Sequence, residues 1–177
     1  MTNKKPVNEK VESCSNEEVL VRAYAPSDHD HVRNLFVEGM RINNAPESYI
    51  ERSLNTDLAN IEETYMKDRG TFLVIERVSD SAIVGSVGLE DLGDLCELRR
   101  MSIHASERRK GLGRTLVDHF IAHARQHKFD GIKLSTGSWM ESAMKFYESL
   151  GFEDKGRVTY KTDESCGVVI ANFEMLL

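Results

Sequence analysis

RRMSIHASERRKGLGRTL, residues 99–116, runs from a β-rich segment through a polar, glycine-bearing loop into the start of an amphipathic helix. Glycines let a backbone approach a ligand closely, and the first amides of a helix have no partners within it, so a loop of this kind forms an anion site. Six Lys/Arg and one acidic residue give the stretch Arg99–Arg114 a local charge of +5 in a chain of net charge −6. Arg108, Arg109 and Lys110 precede the positive end of the helix dipole, at a cost of about 0.3–1 kcal/mol each unless an anion is bound. A solvated charged loop with one tight turn would carry the same letters. Other nucleotide loops fit less well: GxxxxGK[ST] is missing, and Gly111-Leu112-Gly113 lacks the third glycine and the early βα position of GxGxxG.

Upstream of this stretch, Leu95 to Ile103 reads as a fourth strand, and TFLVIERV and SAIVGSVGL, split by Ser79 and Asp80, read as a hairpin of the second and third. Val19 to Ala25 is a first strand closed by Pro26. Ser27 is the expected N-cap of a helix with Val32, Leu35, Phe36 and Met40 on one side. Pro46 starts a second helix in which Ile50, Leu54, Leu58, Ile61 and Tyr65 recur every three or four positions. Downstream, Leu112, Leu116, Val117, Phe120, Ile121 and Ala124 trace a stripe that runs to about Lys128. A short fifth strand, IKLST, follows Gly131. Trp139, Ala143, Phe146, Tyr147 and Leu150 line a fourth helix, stopped by Gly151 as a left-handed C-cap. Two last strands, around Glu153–Thr162 and Gly167–Leu177, complete the sheet.

With 177 residues, 40% hydrophobic and 29% charged, the chain has room for one ordinary domain and does not read as collagenous, low-complexity or disulfide-built. Its 23 Lys+Arg against 29 Asp+Glu argue against nucleic acid as a partner. Cys14, Cys96 and Cys166 show neither CxxC nor zinc-type spacing, so free thiols in a reducing, cytoplasmic setting are expected. No apolar run approaches the ~18–20 residues that span a bilayer, and the N-terminus lacks an apolar h-region, so neither a membrane-spanning nor a secreted protein is expected. Residues 1–18 mix three lysines with four glutamates and read as a flexible tail before a domain over 19–177. No internal repeat or interdomain linker is visible.

Arg108-x-x-Gly111-x-Gly113, directly after a strand, resembles the R/Q-x-x-G-x-G/A pyrophosphate loop of the GCN5-related N-acetyltransferases (GNAT). Residues 143–152, AMKFYESLGF, are similar to the A-x-x-F-Y-x-x-L-G-F segment of the same family. Met140 stands where an Asn is frequent in that family. FVEGM, residues 36–40, resembles the opening region of camello-type acetyltransferases; their transmembrane segment has no counterpart here, and no substrate is carried over. Element order and resemblance together predict an α/β domain: a single mixed, mostly antiparallel sheet of about seven strands with helices on both faces, the acyl-CoA N-acyltransferase fold. The parallel fourth and fifth strands would splay to admit acetyl-CoA. Backbone amides from Arg109 to Arg114, within a cofactor-binding segment Arg108, Arg109, Lys110, Gly111, Leu112, Gly113, Arg114 and Thr115, would hold the pyrophosphate. Met101, Ser102 and Ile103 would pair with the pantetheine amides as an added strand would.

Acetyl transfer from a thioester to an amine needs a base for the amine, a polarised carbonyl and a proton for the departing thiolate. Glu97, fourteen residues before Gly111, matches the place of the catalytic Glu in histone-type members of the resembled family; as a strand carboxylate it could instead pair with Arg99 or Arg100. Glu90, Asp91 and Asp94 could recruit a cationic acceptor or solvate a loop. The charge of −10 outside residues 1–18 and 99–114 favours a cationic acceptor weakly. By resemblance Tyr147 is the general acid, although its spacing from Trp139 and Ala143 also suits core packing. Cys96 faces opposite to Glu97 on its strand and is expected to be a buried thiol, which favours direct transfer in a ternary complex over an acetyl-cysteine. His119, His123 and His127 lack accompanying carboxylates, and the acids of Asp28-His29-Asp30-His31 suit a helix start, so no metal is assigned. The implied function is an acetyl-CoA-dependent N-acetyltransferase acting on a primary amine of a small molecule, peptide or protein. A non-catalytic acyl-CoA-binding regulatory module and a nucleotide-binding regulator are the rivals, and a homodimer is left open.

Overall fold

A computed structural model describes residues 8–12, 17–160 and 168–177. In chain order the elements are β1 (Asn8–Glu12), β2 (Glu18–Ala23), α1 (His29–Ile42), α2 (Glu47–Asn55), α3 (Ile61–Tyr65), β3 (Thr71–Arg77), β4 (Ile83–Asp91), β5 (Leu95–Ile103), α4 (Leu112–Gln126), β6 (Gly131–Gly137), α5 (Glu141–Ser149), β7 (Glu153–Tyr160) and β8 (Val168–Leu176). They build one eight-stranded sheet in the order β1-β2-β3-β4-β5-β6-β8-β7, antiparallel among the described residues except for β5 with β6.

The run TFLVI shows why helices cover both faces. Alternate side chains of a strand point to opposite sides, so a continuous apolar run needs two cores. Leu73 and Ile75 join a cluster with Leu116, Phe120 and Tyr147 of α4 and α5. Phe72 and Val74 join another with Phe36, Ile50 and Tyr65 of α1, α2 and α3. At about 1.5–3 kcal/mol for each large apolar side chain buried, the two cores fix the sheet between its helical layers.

Three local features depart from the sequence reading. The tail expected over residues 1–18 contributes β1, which pairs with β2 through Asn8↔Arg22 to Glu12↔Glu18 and gives the sheet its eighth strand. Main-chain bonds hold this edge strand while its described side chains stay exposed, so no apolar alternation announces it. The single helix expected from Pro46 to Tyr65 is two, α2 and α3, because the chain turns between them to bury Asp57. Asp28 rather than Ser27 stands at the N-cap position of α1, after a 3-10 turn at Pro26–Asp28; its carboxylate bonds no amide of that helix and instead takes the Ala25 N–H at 2.9 Å and two bonds from Arg22 at 2.6 and 2.9 Å. Gly151 closes α5 at φ +94° as expected. Cys96 is a free, buried thiol, pushed up to about 12 by burial. Cys14 and Cys166 lie outside the described residues, as do the rest of residues 1–7, 13–16 and 161–167. No helix among the described residues is long and apolar enough to cross a membrane.

The expected splay is present. Parallel pairing of β5 with β6 runs from Leu95↔Gly131 to Leu98↔Leu134 and stops there. β5 continues to Ile103 against β4, and β6 continues to Gly137 against β8. The facing edges of residues 99–103 and 135–137 are therefore parted, leaving main-chain groups free to bond an extended ligand.

Candidate functional site

The loop between β5 and α4 closes with two left-handed residues, Arg109 at φ +64° and Gly111 at φ +85°, and Gly111 is the N-cap residue of α4. Among the described residues, the backbone N–H groups from Arg109 to Arg114 find no internal acceptor. The first satisfied amide is that of Thr115, which bonds Gly111 O at 3.1 Å. Several adjacent unpaired amides at a helix start fit a pyrophosphate.

The charges of the loop are arranged differently from the expectation of three cations waiting for an anion. Lys110 Nζ is held by Glu107 at 3.0 Å and Glu17 at 3.3 Å; Glu107 is 3% exposed and also takes Arg77 at 3.0 Å. Burial works to raise the Glu107 carboxyl, but Lys110, Ser106 and Arg77 outweigh it and hold it below its ordinary value. Arg108 Nε donates to Ile103 O at 3.2 Å, and Arg114 Nη2 donates to Ser149 O at 3.3 Å. These side chains brace the loop, which leaves the unpaired amides and the exposed Arg109 as the groups that face outward from it.

The two glycines do different jobs. Gly111 supplies the left-handed turn, whereas a Cβ at Gly113 would lie 3.3 Å from Phe146 Cζ and 3.4 Å from Met101 Cε, so Gly113 lets α4 approach α5 and β5. Gly111→Val forces a β-branched residue into the left-handed region at a cost of at least 1–2 kcal/mol. It is expected to raise KM for acetyl-CoA about tenfold or more, and Gly111→Asn, which tolerates that region, much less. Steady-state kinetics at varied acetyl-CoA checks both; equal constants in all three proteins would make the loop ordinary surface.

At the β5/β6 opening lies a cavity of about 530 Å³, whose walls include Glu97 and Met101 of β5, Thr136 of β6, Tyr147 of α5, and Tyr49 and Arg52 of α2. Glu97 and Met101 of β5 thus meet Tyr147 of α5 at the β5/β6 opening. The side chains of Ser102 and Ile103 do not line it: Ser102 Oγ is buried toward α1 and Ile103 packs on the α4 core. Neither arginine that could have neutralised Glu97 does so. Arg99 bonds Glu90 at 2.5 Å, and Arg100 bonds Asp57 twice at 2.6 Å. Asp91 is likewise held by Arg69 through two 2.9 Å bonds.

Tyr147 is 8% exposed and packs beside Phe146, Phe152 and Phe173 at centroid distances of 5.5, 5.8 and 6.3 Å. Packing and cavity lining are both true of it. Burial pushes its phenol well above the ordinary value, which favours the protonated hydroxyl. The helix histidines are used locally: His119 Nε2 meets Glu9 at 3.0 Å, His123 Nε2 meets Arg69 O at 2.8 Å, and His123 stacks on His127.

The cluster that sequence reasoning missed is Asp57, Arg100, Tyr65 and Tyr49. A signal was there: Asp57 falls between Leu54 and Ile61 on the apolar stripe, and a carboxylate on such a stripe must find a partner. Burial works to raise Asp57, but Arg100 and the Tyr65 hydroxyl outweigh it and hold the carboxyl low.

The model of the acetyltransferase (GNAT) family matches residues 30–152. An N-acetylaspartate synthetase from Rattus norvegicus is 35% identical over 111 residues, 62% of this chain and 37% of that protein. N-acetyltransferase 8 from the same species is 33% identical over 116 residues, 62% of this chain and 51% of that protein. The chain thus spans between about a third and a half of these curated relatives. Among solved structures, a GNAT-family acetyltransferase from Staphylococcus aureus Mu50 superposes with TM-score 0.72 at 25% identity, covering 87% of this chain and 98% of that one. A Salmonella typhimurium protein solved with its cofactor acetyl-CoA has TM-score 0.64 at 15% identity, over 90% of this chain and 94% of that one, a likeness of fold.

Proposed function

The chain belongs to the acetyltransferase (GNAT) family, and we propose on that footing that it is an acetyl-CoA-dependent N-acetyltransferase that passes the acetyl group directly to a primary amine. The observation that carries this reading is the β5/β6 opening: one cavity gathers Glu97, Met101 and Tyr147, and β5, which lines it, runs on into a loop with a row of unpaired amides. In this reading the amides from Arg109 to Arg114 bind the pyrophosphate of acetyl-CoA, and the parted edge of β5 at Met101–Ile103 bonds the pantetheine arm. Glu97 takes the amine's proton, directly or through water. The amine nitrogen bonds to the thioester carbon, the carbon–sulfur bond breaks, and the Tyr147 hydroxyl gives its proton to the departing sulfur. Cys96, buried and with its thiol raised, is no nucleophile, which supports transfer within a ternary complex.

For the acceptor, Glu90 and Asp91, two of the three acidic residues that favoured a cation, are engaged by arginines, and Arg52 adds a positive charge to the cavity wall. A relative is named for N-acetylaspartate synthesis. Amines that also bear a carboxylate are therefore expected to be acetylated at least several-fold faster than polyamines of equal concentration, because an ion pair formed out of water favours one sign of charge. Thiol release from acetyl-CoA across a panel of amino acids, polyamines and peptides tests both statements. Release with no member of the panel, despite acetyl-CoA binding, would favour the regulatory module instead.

A further inference from the structure

We propose that Asp57 is a positioning residue for acetyl-CoA: it clamps Arg100 so that β5 keeps the bulge that aims Met101–Ile103 at the cofactor. The inference rests on the proposed function in that it takes this edge of β5 to be the pantetheine-binding one.

Register places the bulge. Gly88 faces Arg99 and Ser86 faces Ser102, so the single residue Val87 of β4 opposes both Arg100 and Met101 of β5. The extra residue lies just beyond Leu98↔Leu134, where β5 leaves β6 and its edge begins to line the opening. Arg100 makes this possible by taking φ +54°, a left-handed conformation that is sparsely populated for any residue with a Cβ.

The surroundings hold Arg100 there. Its Nε and Nη2 each reach an Asp57 oxygen at 2.6 Å, and its Nη1 donates to Tyr49 Oη at 3.0 Å. The guanidinium lies over the Phe36 ring at 5.1 Å, and both members of the ion pair are 7% exposed. The Tyr65 hydroxyl donates to Asp57 as well. A buried ion pair of this kind contributes little net stability compared with apolar packing, but it fixes geometry. The chain breaks the stripe from Ile50 to Tyr65 into two helices to supply it.

What depends on that geometry is the direction of three residues. Met101 and Ile103 pack on the α4 side, and Ser102 lies toward α1, within 3.8 Å of where a Cβ on Gly39 would be. Without the bulge the alternation shifts by one residue. Met101 and Ile103 would then turn to the α1 face and Ser102 to the α4 face, and the main-chain groups between them would move relative to the opening.

Asp57→Asn keeps the shape and removes the charge that clamps Arg100. Calorimetric titration should then show acetyl-CoA affinity reduced about tenfold or more, as a misplaced binding edge requires. Asp57→Asn/Arg100→Gly removes both charges and puts at position 100 the one residue that takes φ +54° without strain, so affinity should return to within about threefold of wild type. Thermal unfolding without ligand is recorded alongside, because a purely structural pair would lower stability and leave affinity alone. Wild-type affinity in Asp57→Asn, at whatever stability, overturns the proposal. Should Asp57→Asn fail to fold, the double variant decides: recovered affinity supports the proposal, and a tenfold loss or a failure of the glycine to restore a binding-competent fold overturns it. Wild-type protein that binds no acetyl-CoA would instead contradict the proposed function itself.

Discussion

Tyr147→Phe is expected to bind acetyl-CoA as tightly as wild type and to turn over about 10²–10⁴ times more slowly, the usual worth of a general acid. Phenylalanine fills the same space among Phe146, Phe152 and Phe173, so the exchange removes the hydroxyl and leaves the core of α5 intact. The shape of the pH profile should not change. Burial holds the phenol protonated through the working range, so wild type has no Tyr147 titration to lose there. Calorimetry and steady-state kcat measure the two halves separately. Unchanged turnover would reduce Tyr147 to packing.

Glu97→Gln is expected to lower turnover by a similar factor, about 10²–10⁴, because the amide keeps the shape of the side chain and cannot take the amine's proton. The arrangement of charge favours Glu97 for this work: Arg99 and Arg100 are taken by Glu90 and Asp57, leaving Glu97 on the cavity wall without either guanidinium. Turnover that survives the substitution would move the role to Glu90, Asp91 or a water held by backbone groups.

The sheet and its helices were legible where burial imposes a period. β5 was readable to its residue bounds, Leu95–Ile103, because it pairs apolar residues on one face with charged ones on the other and ends in a loop of breakers. The hairpin of β3 and β4 was readable from two apolar runs and a polar turn. β1 was not, since an edge strand of polar residues is held by main-chain bonds that leave no pattern in side chains. At the site, the two motifs pointed to the loop and Tyr147, and the resemblance to histone-type members pointed to Glu97. The inward turn of Lys110 to Glu107, and the clamp between Asp57 and Arg100, depend on tertiary partners that local periodicity does not pair. Asp57 read as one more polar residue of a half-wet helix because its partner lies on a strand 43 residues away.

Titration of the purified protein with acetyl-CoA in a calorimeter tests the central claim most directly, that the β5/β6 opening and the loop ahead of α4 form a cofactor site. One equivalent of acetyl-CoA per chain should bind saturably in wild type, with affinity about tenfold or more weaker in Gly111→Val, whose substitution falls in the turn that presents the amides. An absence of saturable heat in wild type, or an affinity that Gly111→Val leaves untouched, would contradict it.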